Sequence, residues 1–312
     1  MIRAPWGDDI FWNKWVQYGT ERLKKEWQKT QQPSLNPSYG PQYAFDIGLN
    51  VFRLLVSHYS RGDAISVLGQ HFAGLLDAWE LSNKLADELN AKLKPGQAWD
   101  HSHLGTAPQI SSDPRGHTDP RSWLFSLSDL NHYIWCFWLV GLALLLDIPD
   151  EQWQRLLELI GGEGEDTLLD RVIASRQPNW KIGDILLHPK PYARLLKAID
   201  AEKEAQPILL EEFVENWYSE LDRKGDKQPY WYIYGDPEKH PLEMGSYFGR
   251  WCIEAAVATK VFNLDDALCF GHENYPGDLL RPDGETTHPQ HIEETDIKAK
   301  NSLLCLLSQV FK

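Results

Sequence analysis

An all-α fold, arranged as an antiparallel helical bundle in two parts, is what this sequence predicts, and three observations predict it. Apolar residues recur at three- and four-residue intervals along most of the 312 residues, the mark of helices that bury one face. Breaks between successive stripes are short in places, which makes the flanking helices antiparallel neighbours. No series of alternating strands and helices occurs. The aromatic string Tyr230-Trp231-Tyr232-Ile233-Tyr234 is the one place where a short β segment is expected.

Taken in order, Trp12, Trp15, Val16, Leu23 and Trp27 form a first stripe that Pro33 ends. Phe45, Leu49, Phe52, Val56 and Tyr59 form a second, with Gly62 as its C-terminal stop. Asp63 is then expected to cap a third helix carrying Ile65, Leu68, Phe72, Leu75, Leu76 and Trp79 and continuing through Leu85, Leu89 and Leu93. Lys94-Pro95-Gly96 opens a loop to about Arg121 that holds four prolines and three glycines. This loop, residues 95–121, divides an N-terminal helical domain (1–94) from a C-terminal one (122–312).

A strongly apolar helix is expected from about Leu124 to Leu146, and the next carries Trp153, Leu156, Leu157 and Ile160 before Gly161-Gly162 stops it. The uninterrupted apolar run, Tyr133 to Leu146, is 14 residues long. A membrane span takes about 20, so the run reads as a buried core helix. Helical stretches follow at 166–174, 191–201 and 207–221. A longer one is expected from about Leu242 to Phe262, and Leu303, Leu304, Leu307, Val310 and Phe311 mark a terminal helix. One echo stands out: Trp135-Cys136 leads after twelve residues to Ile148-Pro149-Asp150, and Trp251-Cys252 leads at the same offset to Leu264-Asp265-Asp266. A duplicated helical hairpin would explain it, and so would chance.

With 42% apolar and 24% charged residues, the composition is that of a folded protein. The 45 acidic residues outnumber the 31 basic ones, for a formal charge of −14. Such a chain repels phosphate backbones, which argues against nucleic acid as a partner. Solubility or a basic partner accounts for the excess. Residues 1–160 hold 18 acids and 14 bases, net −4, whereas 161–312 hold 27 and 17, net −10. Three clusters carry the second figure: Glu163, Glu165, Asp166 and Asp170; Glu211, Glu212 and Glu215; and Glu273 and Asp278 with the acids up to Asp296. Each alone reads as a solvated face, and as a set they offer a docking surface for a basic protein. Cys136, Cys252, Cys269 and Cys305 form no CxxC pair, and the first residues do not read as a signal peptide, so a cytoplasmic, reduced setting is expected.

No catalytic or metal-binding residue and no cofactor is assigned. His101, His103, His117 and Asp119 gather in the Pro/Gly loop, but their spacing fits no standard zinc site. HExxH, GxSxG and phosphate-loop motifs are missing, and Gly161-Gly162-Glu163-Gly164 lacks the Lys and Ser/Thr that hold phosphate. Glu254 is a carboxylate inside an apolar helical pattern, with Arg250 one turn before it. It reads as an ion-paired structural group, the alternative being a proton donor or acceptor with a raised pKa. In that alternative the chain is an all-α metal-dependent hydrolase using the loop histidines and Glu254.

Two stretches resemble a known family. His58-Tyr59-Ser60-Arg61-Gly62, ahead of Phe72, Leu76 and Ala78-Trp79-Glu80, is similar to the N-terminal domain of PoNi-type immunity proteins. Tyr247-Phe248-Gly249-Arg250-Trp251-Cys252-Ile253-Glu254-Ala255-Ala256, with Leu264-Asp265-Asp266 and Tyr275-Pro276-Gly277-Asp278-Leu279-Leu280, resembles the C-terminal domain. The family's usual Tyr-Pro-Tyr-Asp-Leu is here Tyr-Pro-Gly-Asp-Leu. The resemblance implies an all-α, non-catalytic protein that binds a cognate antibacterial DNase toxin, and it marks Trp79, Arg250, Trp251, Glu254, Asp265 and Asp266 as fold determinants. Charge then nominates Glu163, Glu165, Asp166, Asp170, Glu211, Glu212, Glu215 and Asp278 as toxin contacts. An acidic helical adaptor for a non-toxin partner is the remaining reading.

Overall fold

Asp8 begins the first helix by accepting the Phe11 amide at 2.7 Å, which satisfies one of the amide donors a helix start leaves open. In the computed structural model, which describes residues 1–33, 37–92 and 126–289, this helix is α1, Asp9–Thr30. It is followed by α2, Gly40–Arg61, and, after a turn at Gly62, by the single-turn α3, Ile65–Leu68, and by α4, Phe72–Asn90. The remainder comprises α5, Leu130–Leu145; α6, Asp150–Ile160; α7, Thr167–Ala174; α8, Pro189–Asp200; α9, Gln206–Glu220; and α10, Ile253–Phe262, with short 3-10 turns between them. The all-α expectation is met. The 95–121 loop with its histidines, Leu93, Cys305, the acids from Glu293 to Asp296 and the terminal 303–311 stripe lie outside the described residues.

Residue pairs fix the helix directions. Ser82 on α4 donates to the Pro41 carbonyl at the start of α2, while Gly48, further along α2, lies against Leu75 and Ala78. These two helices are antiparallel, as are α1 and α2, where Asn50 meets Glu26 and Arg61 meets Asn13. α8 and α9 form another antiparallel pair, clasped by Arg194 between Glu212 and Glu220.

α5 is the axis of the molecule. Every residue from Tyr133 to Leu145 is buried, so this helix is packed all round. On one side Trp135 meets Phe45, Phe52 and Trp79 of α2 and α4, and Trp138 stacks on Phe52 at 5.3 Å. On the other, Gly141 lets Ile253 and Val257 approach, and Lys260 further along reaches the Leu144 carbonyl, so α10 runs parallel to α5. One hydrophobic core consequently extends from Ala4 to Leu279. Among the described residues, no helix is long and apolar enough to cross a membrane.

Three local expectations need correction. Asp63 caps nothing: its carboxylate binds His58 and Arg61, and Ala64 stands at the N-cap. The Tyr230–Tyr234 string is not a strand, and no strand occurs among the described residues. Trp231 and Tyr232 are both buried while Tyr230 and Ile233 stay exposed, a spacing that a 3-10 turn at Tyr232–Gly235 satisfies and an alternating strand cannot. The predicted 242–262 helix begins only at Ile253, because the backbone at Gly249 has φ 108°, outside any helix. The two echoed segments share a helix stop. Asp147 and Asn263 each take a left-handed conformation, φ 48° and 52°, and Ile148 and Leu264 donate back to Ala143 and Thr259. Beyond the stop the copies diverge, an eleven-residue α6 in one case and a single turn at Ala267–Cys269 in the other.

Candidate functional site

The nominated acids do not share one environment. Asp166 is 1% exposed and caps α7 through the Leu168 and Leu169 amides, while also accepting the Tyr133 hydroxyl and the Leu187 amide. Asp170, 2% exposed, accepts the Trp180 indole and the Gly183 amide. Asp278 binds Arg3 at 2.6 Å together with Thr286 and Thr287. Burial alone would raise the pKa of Asp278; the Thr287 amide, Arg3, His288 and Thr286 outweigh it and hold the group ionised below the usual carboxylate range. Asp166, Asp170 and Asp278 are thus corrected from surface acids to interior ones: satisfying open backbone amides favours their burial.

The others reach the surface. Glu163 is exposed and accepts the Lys181 amide; Glu165 is half-buried beside it. On α9, Glu212 turns toward α8 and pairs with Arg194, whereas Glu211 and Glu215, one helical turn apart, face the Ala267–Cys269 turn. Glu211 and Glu215 make no ion pair with any described residue. Asp265 is exposed and caps that turn through the Ala267 amide, and Asp266 is buried, held by both Arg281 nitrogens and by the Tyr275 hydroxyl.

Glu254 is fully buried, in the first turn of α10. It is not paired with Arg250, because Arg250 precedes the helix and the one-turn spacing places it elsewhere. That guanidinium binds Asn274, the Gly235 carbonyl and Glu273, and stacks on Trp6 and Tyr218. Glu254 Oε1 instead accepts the Tyr192 hydroxyl at 2.8 Å and the Trp217 indole at 3.3 Å, and Oε2 makes no well-formed hydrogen bond. Burial pushes the carboxyl up to about 7, against its own backbone amide and the Tyr192, Trp138 and Trp217 donors. Among the described residues, no three His, Cys, Asp or Glu side chains converge as metal ligands.

The segments that carried the resemblance meet in one place. Ser60, wholly buried near the end of α2, accepts the Trp251 indole at 2.8 Å and donates to the Phe248 carbonyl at 2.9 Å. Tyr59 bonds His288 at 2.9 Å and packs edge-on against Trp251. From the chain start, the Arg3 and Ala4 amides donate to the Ser60 carbonyl, while the Arg3 guanidinium spans Asp278 and the Tyr59 and Asp63 carbonyls. The Cys252 amide closes the ring on the Asn274 carbonyl. Residues 58–62, 247–254 and 274–280 therefore form a single buried junction. Trp79, 1% exposed, lies apart from it in the α4 core.

One family model, described as "PoNe immunity protein (PoNi), N-terminal", matches residues 3–158, and a second, "PoNe immunity proteins (PoNi), C-terminal", matches residues 164–279. The chain belongs to the PoNi family. No curated protein matches the sequence. A similar solved structure is "The Crystal Structure of Protein PA2201 from Pseudomonas aeruginosa", with TM-score 0.61, 18% identity and 90% of each chain covered, a likeness of fold. In this PoNi chain the two models part at the Gly161-Gly162 stop after α6, some 40 residues beyond the 95–121 loop.

The family's departing residue also acquires a reason. A Cβ on Gly277 would stand 2.5 Å from Thr287 Oγ1, so a tyrosine there would displace the segment whose Thr286 and Thr287 bind Asp278. Sequence reasoning missed Arg3, Tyr192, Asn274 and His288, none of which stands out in a local pattern. Ser60 was discernible only as part of its motif.

Proposed function

We propose that this protein is a cytoplasmic, non-catalytic immunity protein that binds its cognate antibacterial nuclease toxin stoichiometrically and blocks DNase activity by covering the toxin's basic groove. Membership of the PoNi family is the observation that carries this reading. The charge of −14 supports it, because a groove shaped for phosphates attracts an acidic surface. Protection calls for tight binding: nanomolar affinity corresponds to about −12 kcal/mol. Exposed ion pairs contribute roughly 0–1 kcal/mol each, so buried apolar anchors must supply much of the remainder.

The test uses the toxin encoded beside this gene. Plasmid cleavage by the purified toxin is expected to stop at an equimolar ratio of this protein. Cleavage that continues in its molar excess overturns the proposal.

A further inference from the structure

The turn Ala267–Cys269 lies against α9 with its last residue, Cys269, buried. That inward anchor sends its neighbours out: Leu268 is 47% exposed and Phe270 44%. Phe270 is not loose. The Arg281 guanidinium sits 4.6 Å from its ring, and Asp266 holds that guanidinium through both carboxylate oxygens. The ring is thus presented in a fixed position, and a rigid aromatic loses little freedom when a partner covers it.

On the facing helix, Ile208 is 62% exposed and lies one turn before Glu211 on the same side as Glu215. The carboxylates of Glu211 and Glu215 are near enough to act on both Cys269 and His272, where Glu273 joins them. Three exposed apolar side chains thus stand in an acidic frame. Of the other nominated acids, Asp166, Asp170 and Asp278 are interior groups, Glu212 is engaged by Arg194, and Glu163 accepts a backbone amide.

We propose that the face formed by Ile208, Glu211, Glu215, Leu268 and Phe270 is where a basic protein surface, the toxin's, docks. This rests on the immunity reading above. Charge complementarity selects the occupant: carboxylates that pair with no described residue, set around apolar side chains, suit a partner that brings lysine or arginine around an apolar spot, and they disfavour a second copy of this acidic chain. The carboxylates speed encounter, and Leu268, Phe270 and Ile208 set residence time.

The experiment measures association and dissociation rates between this protein and a catalytically inactivated form of the neighbouring toxin, at low salt. Glu211→Lys with Glu215→Lys is expected to slow association about tenfold or more, and Leu268→Ala with Phe270→Ala to speed dissociation by about as much. Glu151→Lys with Glu158→Lys makes the same charge change on the exposed side of α6 and is expected to leave dissociation unchanged and association within about threefold. Single Glu215→Lys, at an exposed position, repeats the association test without touching packing. If the wild type binds and inhibits while both patch variants behave like it, docking lies elsewhere and the immunity reading stands. If the wild type does not bind the toxin, the immunity reading falls and the docking face falls with it.

Discussion

A carboxyl whose pKa rises on folding makes stability depend on pH with a definite sign. Glu254 goes from an ordinary value of 4.5 to about 7, so between those limits the folded chain holds a proton that the unfolded chain has lost. The contribution of Glu254 to stability is therefore greatest below about 4.5 and declines as pH rises, reaching a penalty of about 3 kcal/mol above pH 7. Glu254→Gln should flatten this slope: urea midpoints at pH 5 and pH 8 should move closer together than in the wild type. An unchanged slope would place the titration elsewhere. Ser60 gives a second test. Ser60→Ala strips the buried Trp251 indole of its acceptor, with an expected loss of about 1–3 kcal/mol, whereas Ser60→Ala combined with Trp251→Phe should lose less than the two singles added together. The burial of Glu254 was legible in its apolar neighbours, but its real partners were not. Tyr192 and Trp217 lie 62 and 37 positions away, and no local periodicity reports such distances.

The 166–174, 191–201 and 207–221 stretches fall within one or two residues of Thr167–Ala174, Pro189–Asp200 and Gln206–Glu220, whereas the helix expected from Leu124 begins at Leu130; two of the failures share one cause. From Leu242 to Val257 the chain is apolar enough to pass for a continuous helix, yet its first part is a packed loop. Tyr247, Phe248 and Trp251 are buried by the junction rather than by helical spacing. Burial without periodicity looks the same in sequence whether the backbone coils or turns. The Tyr230–Tyr234 string misleads in the same way, since its aromatic rings stack on Trp217 and Tyr218 instead of lining a pleat. Gly249 is the element that tells the two apart. Besides its positive φ, a Cβ there would lie 2.3 Å from Ser60 Oγ and Trp251 Nε1. Gly249→Ala should destabilise by about 2–4 kcal/mol through strain and overpacking together, measurable as a lowered denaturation midpoint. A neutral result would mean the junction yields more easily than its contacts imply.

At the scale of the whole molecule, two family segments share one core with α5 inside it. Chemical unfolding should accordingly show one transition, with helical circular dichroism and tryptophan fluorescence coinciding; two separated transitions would make the segments independent. Arg3→Ala should weaken that single transition by about 3 kcal/mol, because it leaves a largely buried Asp278 carboxylate without its cation. The charge distribution was readable from the chain in outline only. The excess of acid after residue 160 is real, but which acids face water depended on where helix starts and loop amides needed acceptors, and only tertiary structure decides that.

The Arg3–Asp278 pair joins positions 275 apart, and this separation has a consequence during synthesis. The N-terminal strap leaves the ribosome first and then waits for its counter-ion until nearly all of the described chain has followed. At about 5–20 residues per second, the wait is roughly 15–60 s. Until then the end of α2 exposes Tyr59 and Ser60 without their partners, so a nascent or prematurely terminated chain lacks the closed junction. The junction thus closes in one late step, not progressively as the polypeptide lengthens.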